Sequence, residues 1–259
     1  MRYLIKGWIV SMMLLAPVAA WATHPLGVEH AETEGKGNYL FEIAGDYTKD
    51  NDLNATKLTT GITAGAGERV DLTLEVPYVM LDPSPVTGLY ERGEGDARVK
   101  FKHRLYENEV GQSLAYLIYA DLPSGNHLKG TGTNNVLWGV MLIDSQECRK
   151  RALHLKVGYE VLGRDIKDGH YADNYAIRFG LAAEHKMTES FRFLTELAGE
   201  SRKETDAEAD IHSYSRPFTF LAGVIYDISK SWYVDLGARA GLNKYAQDYS
   251  MLAGTAWRF

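Results

Sequence analysis

The sequence predicts an all-β fold, a transmembrane antiparallel β-barrel of about 12 strands of the outer-membrane type. Three observations predict it: an export signal at the start of the chain, apolar residues at every second position through most of the remainder, and a last strand that ends on Phe259.

Residues 1–22 carry Arg2 and Lys6, an apolar run from Trp8 to Val18, and Ala20-Trp21-Ala22. Cations, a short apolar stretch and an A-x-A site make a cleavable signal peptide. The run is too short and too soon followed by polar sequence for a membrane-spanning helix. The mature chain is expected to begin near Thr23. Residues 23–37 contain His24 and His30 among Glu29, Glu32 and Glu34 without zinc-type spacing. They are expected to form a flexible acidic segment in the periplasm, with the barrel proper over 38–259.

From Tyr39 onward the period is two. Tyr39, Phe41, Ile43 and Tyr47 alternate with Leu40, Glu42, Ala44 and Asp46; Val70, Leu72, Leu74, Val76 and Tyr78 alternate with Asp71, Thr73, Glu75 and Pro77. Segments opening at Ala97, Leu153, Tyr175, Phe191, Phe218 and Trp232 repeat the pattern. A helix cannot gather residues of that spacing on one side. None of these apolar faces carries Asp, Glu, Lys or Arg, as hydrocarbon contact requires, since a Lys or Arg at the bilayer midplane costs about 2–4 kcal/mol. Segments 55–65, 112–122 and 134–143 are expected to be strands too, although the latter two are apolar on both faces. A mean hydropathy of -0.26 is compatible with a membrane barrel, because inward-facing polar residues dilute the average.

Connections alternate in length. Short links near 65–68, 106–111, 145–149, 185–189 and 228–230 are read as periplasmic turns; longer ones near 48–54, 80–93, 123–133, 163–172, 201–215 and 243–247 are read as outer loops. Tyr47, Tyr78, Tyr106, Tyr159, Tyr226, Trp232 and Trp257 fall near strand ends, where aromatic side chains favour the membrane interface. In the last segment Tyr249, Trp257 and Phe259 share one face, which resembles the signal that barrel assembly machinery reads. A soluble β-sandwich is the competing fold; uniform strands and alternating loop lengths speak against it.

Composition narrows the function. A net charge of -6 disfavours a nucleic-acid partner. Cys148 is alone, so no intramolecular disulfide forms. There is no ATP motif and no cofactor fingerprint, and neither cofactor nor metal is expected. The expected partners are outer-membrane lipids, lipopolysaccharide and a small-molecule solute.

Charged residues concentrate on the opposite, inward face. Arg98, Lys100, Lys102 and Arg104 form a basic ladder on the fourth expected strand, facing the same side as Asp71 and Glu75. Asp96, His154, Lys156, Glu160, Arg178, Arg192, Glu196, Asp235 and Arg239 point inward as well. Such charges either neutralise one another across strands and fill the interior, or set a transverse field that admits small anions. A hydrolase is the remaining alternative, with Asp210, His212 and Ser213 as its compact candidates; sequence neighbours rarely form a triad. Glu204, Asp206, Glu208 and Asp210 read as a solvated charged loop.

Gly93-Glu94-Gly95-Asp96 before a strand containing Lys100, Leu122-Pro123-Ser124-Gly125, Gly130-Thr131-Gly132, His24-Pro25-Leu26 and Gly35-Lys36-Gly37 together resemble the MetA-pathway of phenol degradation family. That resemblance implies an outer-membrane barrel for passive uptake or efflux of small solutes, aromatic or hydrophobic compounds among them. Taken structurally, the same glycines supply turn geometry, and Asp96 is expected to pair with an inward cation.

Overall fold

A computed structural model describes residues 24–167, 170–206 and 211–259; side chains at 164–173 and 204–213 lie outside the description. The signal segment, Asp210 and the charged side chains of the 204–210 run therefore fall outside the described part, as do the side chains of His212 and Ser213.

The strands are β1 (Tyr39–Asp50), β2 (Leu53–Gly67), β3 (Val70–Asp82), β4 (Glu91–Glu94), β5 (Ala97–Glu107), β6 (Gln112–Leu122), β7 (Leu137–Cys148), β8 (Arg151–Lys167), β9 (His170–Lys186), β10 (Phe191–Asp206), β11 (Ile211–Ser215), β12 (Phe218–Asp227), β13 (Trp232–Gly241) and β14 (Tyr249–Arg258). Each pairs antiparallel with its neighbour, and β1 pairs with β14 from Leu40↔Arg258 to Lys49↔Tyr249, which closes the sheet. Twelve strands form the ring. The other two, β4 and β11, are short arms that pair only with the outer ends of β3 and β10. Closure leaves the twelve-strand ring without an edge, which a bilayer could not satisfy with hydrogen bonds.

The period of two sets the wall. Leu72, Leu74, Val76 and Tyr78 of β3, Leu153, Leu155, Val157 and Tyr159 of β8, and Ile177, Phe179 and Leu181 of β9 are all exposed on the outer face. The two segments that were apolar on both sides are resolved here. Ile118, Leu122, Trp138, Val140 and Leu142 face out, while Ala115, Leu117, Tyr119, Met141 and Ile143 are buried inside. An apolar inner face has no use in a water-filled lumen, so something must cover it.

Two-residue turns at 68–69 and 149–150, and slightly longer ones at 108–111, 187–190 and 228–231, gather at the end that also holds Tyr39 and Phe259. By the usual rule this end faces the periplasm. At the other end the β1–β2 connection is shorter than expected. Asn51 and Asp52 alone make a tight hairpin, with Asn51 in the left-handed region at φ 51°. Asn tolerates that region better than most residues, so two residues suffice where a loop of 48–54 was expected.

Residues 24–37 depart from the expected flexible tail. From His24 to Glu34 the segment lies inside the ring, with Leu26, Val28 and Ala31 almost fully buried. It leaves the lumen at the periplasmic rim through a turn in which Gly35 and Gly37 adopt φ of 80° and 83°, values that only glycine takes without strain. The Gly37 amide donates to the Gly65 carbonyl at 2.9 Å, which ties that turn to the end of β2.

Candidate functional site

The candidate site is the lumen and the segment that occupies it. Leu26 and Val28 complete an apolar cluster with Leu194, Leu221, Ile225, Tyr233 and Leu252; Ala31 joins Ala115, Leu117, Tyr119, Met141 and Ile143. Inward-facing glycines make the room. A Cβ on Gly180 would stand 2.4 Å from Val28 Cγ2, and one on Gly254 would stand 2.6 Å from His24 Nδ1.

Polar contacts then fix the segment to strands around the ring. His24 Nδ1 lies 2.5 Å from Asp235 Oδ1. The amides of Gly27 and Val28 both donate to Glu196 Oε2, at 2.6 and 2.7 Å, and Lys156 donates to the Gly27 carbonyl. Glu29 accepts from Lys100 at 2.8 Å, the Ala31 amide donates to Ser145 Oγ at 2.9 Å, and Ser113 Oγ donates to Glu32 at 2.7 Å. The Glu34 amide donates to Asp71, and its carboxylate takes a two-pronged contact from Arg258 at 2.5 and 3.0 Å. Charge-assisted bonds of this kind contribute about 1.5–3 kcal/mol each.

The segment's own acids are tuned by these partners. Burial alone raises the Glu29 carboxyl, but Lys100, Lys102 and Lys156 outweigh it and bring it down to about 2. Glu34 is lowered against the same burial by Arg258, and Glu32 by His30 and Ser113.

The basic ladder is present and largely neutralised. Arg98 grips Asp121, directly opposite on β6, through Nε at 2.5 Å and Nη2 at 2.8 Å. Lys100 bridges Glu75 at 2.7 Å and Glu29; Lys102 lies 3.6 Å from Asp71; Arg104 reaches Glu107 at 2.9 Å near the periplasmic rim. Across the lumen, Arg178 pairs with Glu160 at 2.6 Å and Glu200 at 3.2 Å, and Arg192 with Asp227 at 2.9 Å and Glu184 at 3.6 Å. His154 contacts Ser145 and Glu184. Arg239 stays on the wall of a cavity beside Gly27.

Asp96 departs from expectation. Instead of an inward cation, it accepts from the Gly125 amide at 2.9 Å and from the amide and hydroxyl of Thr133 at 2.6 and 2.7 Å. The chain steps from β4 to β5 at Gly95-Asp96, and that step aims the carboxylate at the 123–136 loop. The Gly-rich motifs therefore meet around one loop anchor.

Sequence reasoning missed the segment's contacts with Glu196, Asp235 and Ser145. A signal was available: Leu221 and Ile225, and likewise Leu117 and Met141, make inner faces apolar where an open lumen would be polar.

Two cavities lie on the outer side of the segment. A cavity of about 540 Å3 is lined by Lys156, Arg178, Glu196, Glu200, Arg202 and Arg239 among others, and one of about 290 Å3 by Lys57, Glu75, Arg98 and Asp121 among others.

A closed ring with a lipid-facing belt, aromatic residues at both ends and a charged interior defines a transmembrane β-barrel of the outer-membrane class. The chain belongs to the family described as "Putative MetA-pathway of phenol degradation", whose model matches residues 31–259. Its fold is similar to that of an outer membrane channel from Pseudomonas putida F1, with a TM-score of 0.72 at 11% identity over 88% of this chain and 98% of that one. It is also similar to the NanC porin, at 0.60 and 10% over 84% and 98%. The translocator domain of the autotransporter NalP from Neisseria meningitidis aligns at 0.54 and 11%, over 90% and 91%. Among curated proteins, none matches the sequence.

Proposed function

We propose that this chain is an outer-membrane channel for small solutes, kept closed by its own residues 24–34 until they move. The observation that carries the reading is the seating of a non-strand segment across a charged lumen by separable polar contacts, with no disulfide and no strand pairing to hold it. A barrel that needed only to be filled could do so with strand side chains alone. Family membership and likeness to channels and porins support solute passage over catalysis, and aromatic or hydrophobic compounds are the solutes the family description suggests.

Asp71, Glu75, Arg98, Lys100, Lys102, Arg104, Lys156, Glu160, Arg178, Arg192, Glu196, Asp235 and Arg239 line the path in this reading; Asp96 shapes its outer mouth. Tyr249, Trp257 and Phe259, exposed along the last strand, would present the chain to the assembly machinery, and the apolar belt would meet lipid and lipopolysaccharide.

Conductance of the refolded barrel in planar bilayers tests the channel. Wild type should show rare or small openings, and a variant lacking residues 24–34 should conduct steadily. A deletion variant that inserts and stays silent refutes it.

A second reading, a barrel with a permanently filled interior, draws on the neutralised ladder. It predicts the same silence with the segment present or absent.

A further inference from the structure

The 540 Å3 cavity on the outer side of the segment is bounded by β8, β9, β10, β12 and β13, with Asp50, Tyr245 and Gln247 toward the outer mouth. Its charges divide into two groups. Arg178 is committed to Glu160 and Glu200, and Arg202 shares Glu200 at 2.9 Å. Among the described residues, neither Lys156 nor Arg239 makes an ion pair. Lys156 spends its ammonium on a neutral acceptor, the Gly27 carbonyl. Arg239 places Nη2 3.7 Å from where a Gly27 Cβ would lie, beside Glu196, whose Oε2 is already taken by two amides of the segment.

Two cations that lack ion pairs thus converge on one residue of the segment, inside a cavity large enough for a small organic molecule. Cavities of about 300–1,000 Å3 are typical of such sites. A planar guanidinium binds a carboxylate through two parallel bonds, and a nearby ammonium completes its coordination. Pro217, Ala198 and the ring of Tyr245 supply apolar wall for the rest of the molecule.

We infer that this cavity is a binding site for a small organic carboxylate, held by Arg239 and Lys156. Binding there draws Lys156 away from the Gly27 carbonyl, so occupancy loosens the segment from the wall. The inference rests on the channel reading for its consequence and on the cavity alone for the site.

The test uses the full mature barrel in detergent and benzoate as the probe, with benzyl alcohol as its uncharged counterpart. Isothermal titration should show saturable benzoate binding, none for benzyl alcohol, and at least tenfold weaker binding in Arg239→Gln and in Lys156→Gln. Lys230→Gln, in a periplasmic turn, should bind as wild type does. Shifted migration of unheated samples on gels reports that each variant is folded. Absent binding to wild type, or binding to both lumen variants as tight as to wild type, overturns the site. In bilayers, benzoate should raise opening frequency in wild type and not in Arg239→Gln. Binding to a barrel that remains silent even without residues 24–34 keeps the site and refutes the channel; a conducting barrel that ignores benzoate does the reverse.

Discussion

Replacing Gly180 with alanine tests the seating of residues 24–34 from the wall side, without touching the segment. The added Cβ would lie 2.4 Å from Val28 Cγ2, where carbon atoms normally rest about 3.5–4.0 Å apart. Either Val28 retreats or β9 bends, and β9 is held by ladders to both β8 and β10. Val28 therefore gives way. Overpacking of this size costs about 1–3 kcal/mol, while the two amide bonds to Glu196 hold the same stretch with about 1.5–3 kcal/mol each. The bonds win, so the segment stays seated most of the time. The seated-to-open ratio nevertheless falls by about five- to a hundredfold, at tenfold for each 1.4 kcal/mol. The measurement is maleimide labelling of Ala31→Cys, a fully buried position, in a Cys148→Ser background. Gly45→Ala is the control, since its nearest neighbour would be an ordinary 3.7 Å away. Labelling no faster in Gly180→Ala than in the control would refute the reasoning, because it would mean that Val28 does not press on this wall.

Acid should loosen the segment. Glu29 titrates near 2 when seated against an ordinary 4.5, so its contribution is complete above about pH 4.5 and is lost as pH falls toward 2. At 1.36 kcal/mol per unit the full effect is about 3 kcal/mol, and Glu29→Gln should abolish that part of the pH response of Ala31→Cys labelling. Asp96→Ala removes three bonds to the 123–136 loop, at 2.9, 2.6 and 2.7 Å, and should expose that loop to proteinase K on intact cells with barrel migration unchanged. Protection equal to wild type would show that other contacts hold the loop. Arg98→Ala leaves the Asp121 carboxylate, nearly buried, without its guanidinium; the penalty of about 3–5 kcal/mol for breaking such a pair should appear as a lower urea midpoint, and restoration by Arg98→Lys would argue against the two-pronged geometry.

The wall of this barrel is legible in the sequence because lipid imposes one rule on every strand. Outward positions must be uncharged and are mostly apolar, so Leu72, Leu74 and Val76 announce β3 without reference to any other part of the chain. Cross-strand partners follow from the same alternation once the turns are placed, as Asp71 with Lys102 and Arg98 with Asp121 illustrate. The first hairpin departs from the expected loop for a local reason: polar Lys49, Asp50 and Asp52 have the composition of a loop, yet Asn51 alone supplies the left-handed residue that a two-residue turn needs.

The segment 24–37 obeys no such rule, having neither a period nor partners nearby in sequence. Gly27 meets Glu196 across 169 positions and Glu34 meets Arg258 across 224. Its trace was written in the wall instead. Leu221 and Ile225 on the inner face of β12, and Gly180 and Gly254 where bulk would be expected, are anomalies for a lumen that faces only water. The acids of the segment make sense on the same basis. By sequence alone Glu29, Glu32 and Glu34 belong to a flexible acidic segment, but they meet Lys100, Ser113 and Arg258. An inner face with unexplained apolar patches and small residues thus implies a covering segment. In a ring with no free edge and few long loops, the chain leading into the first strand is the nearest one able to supply it.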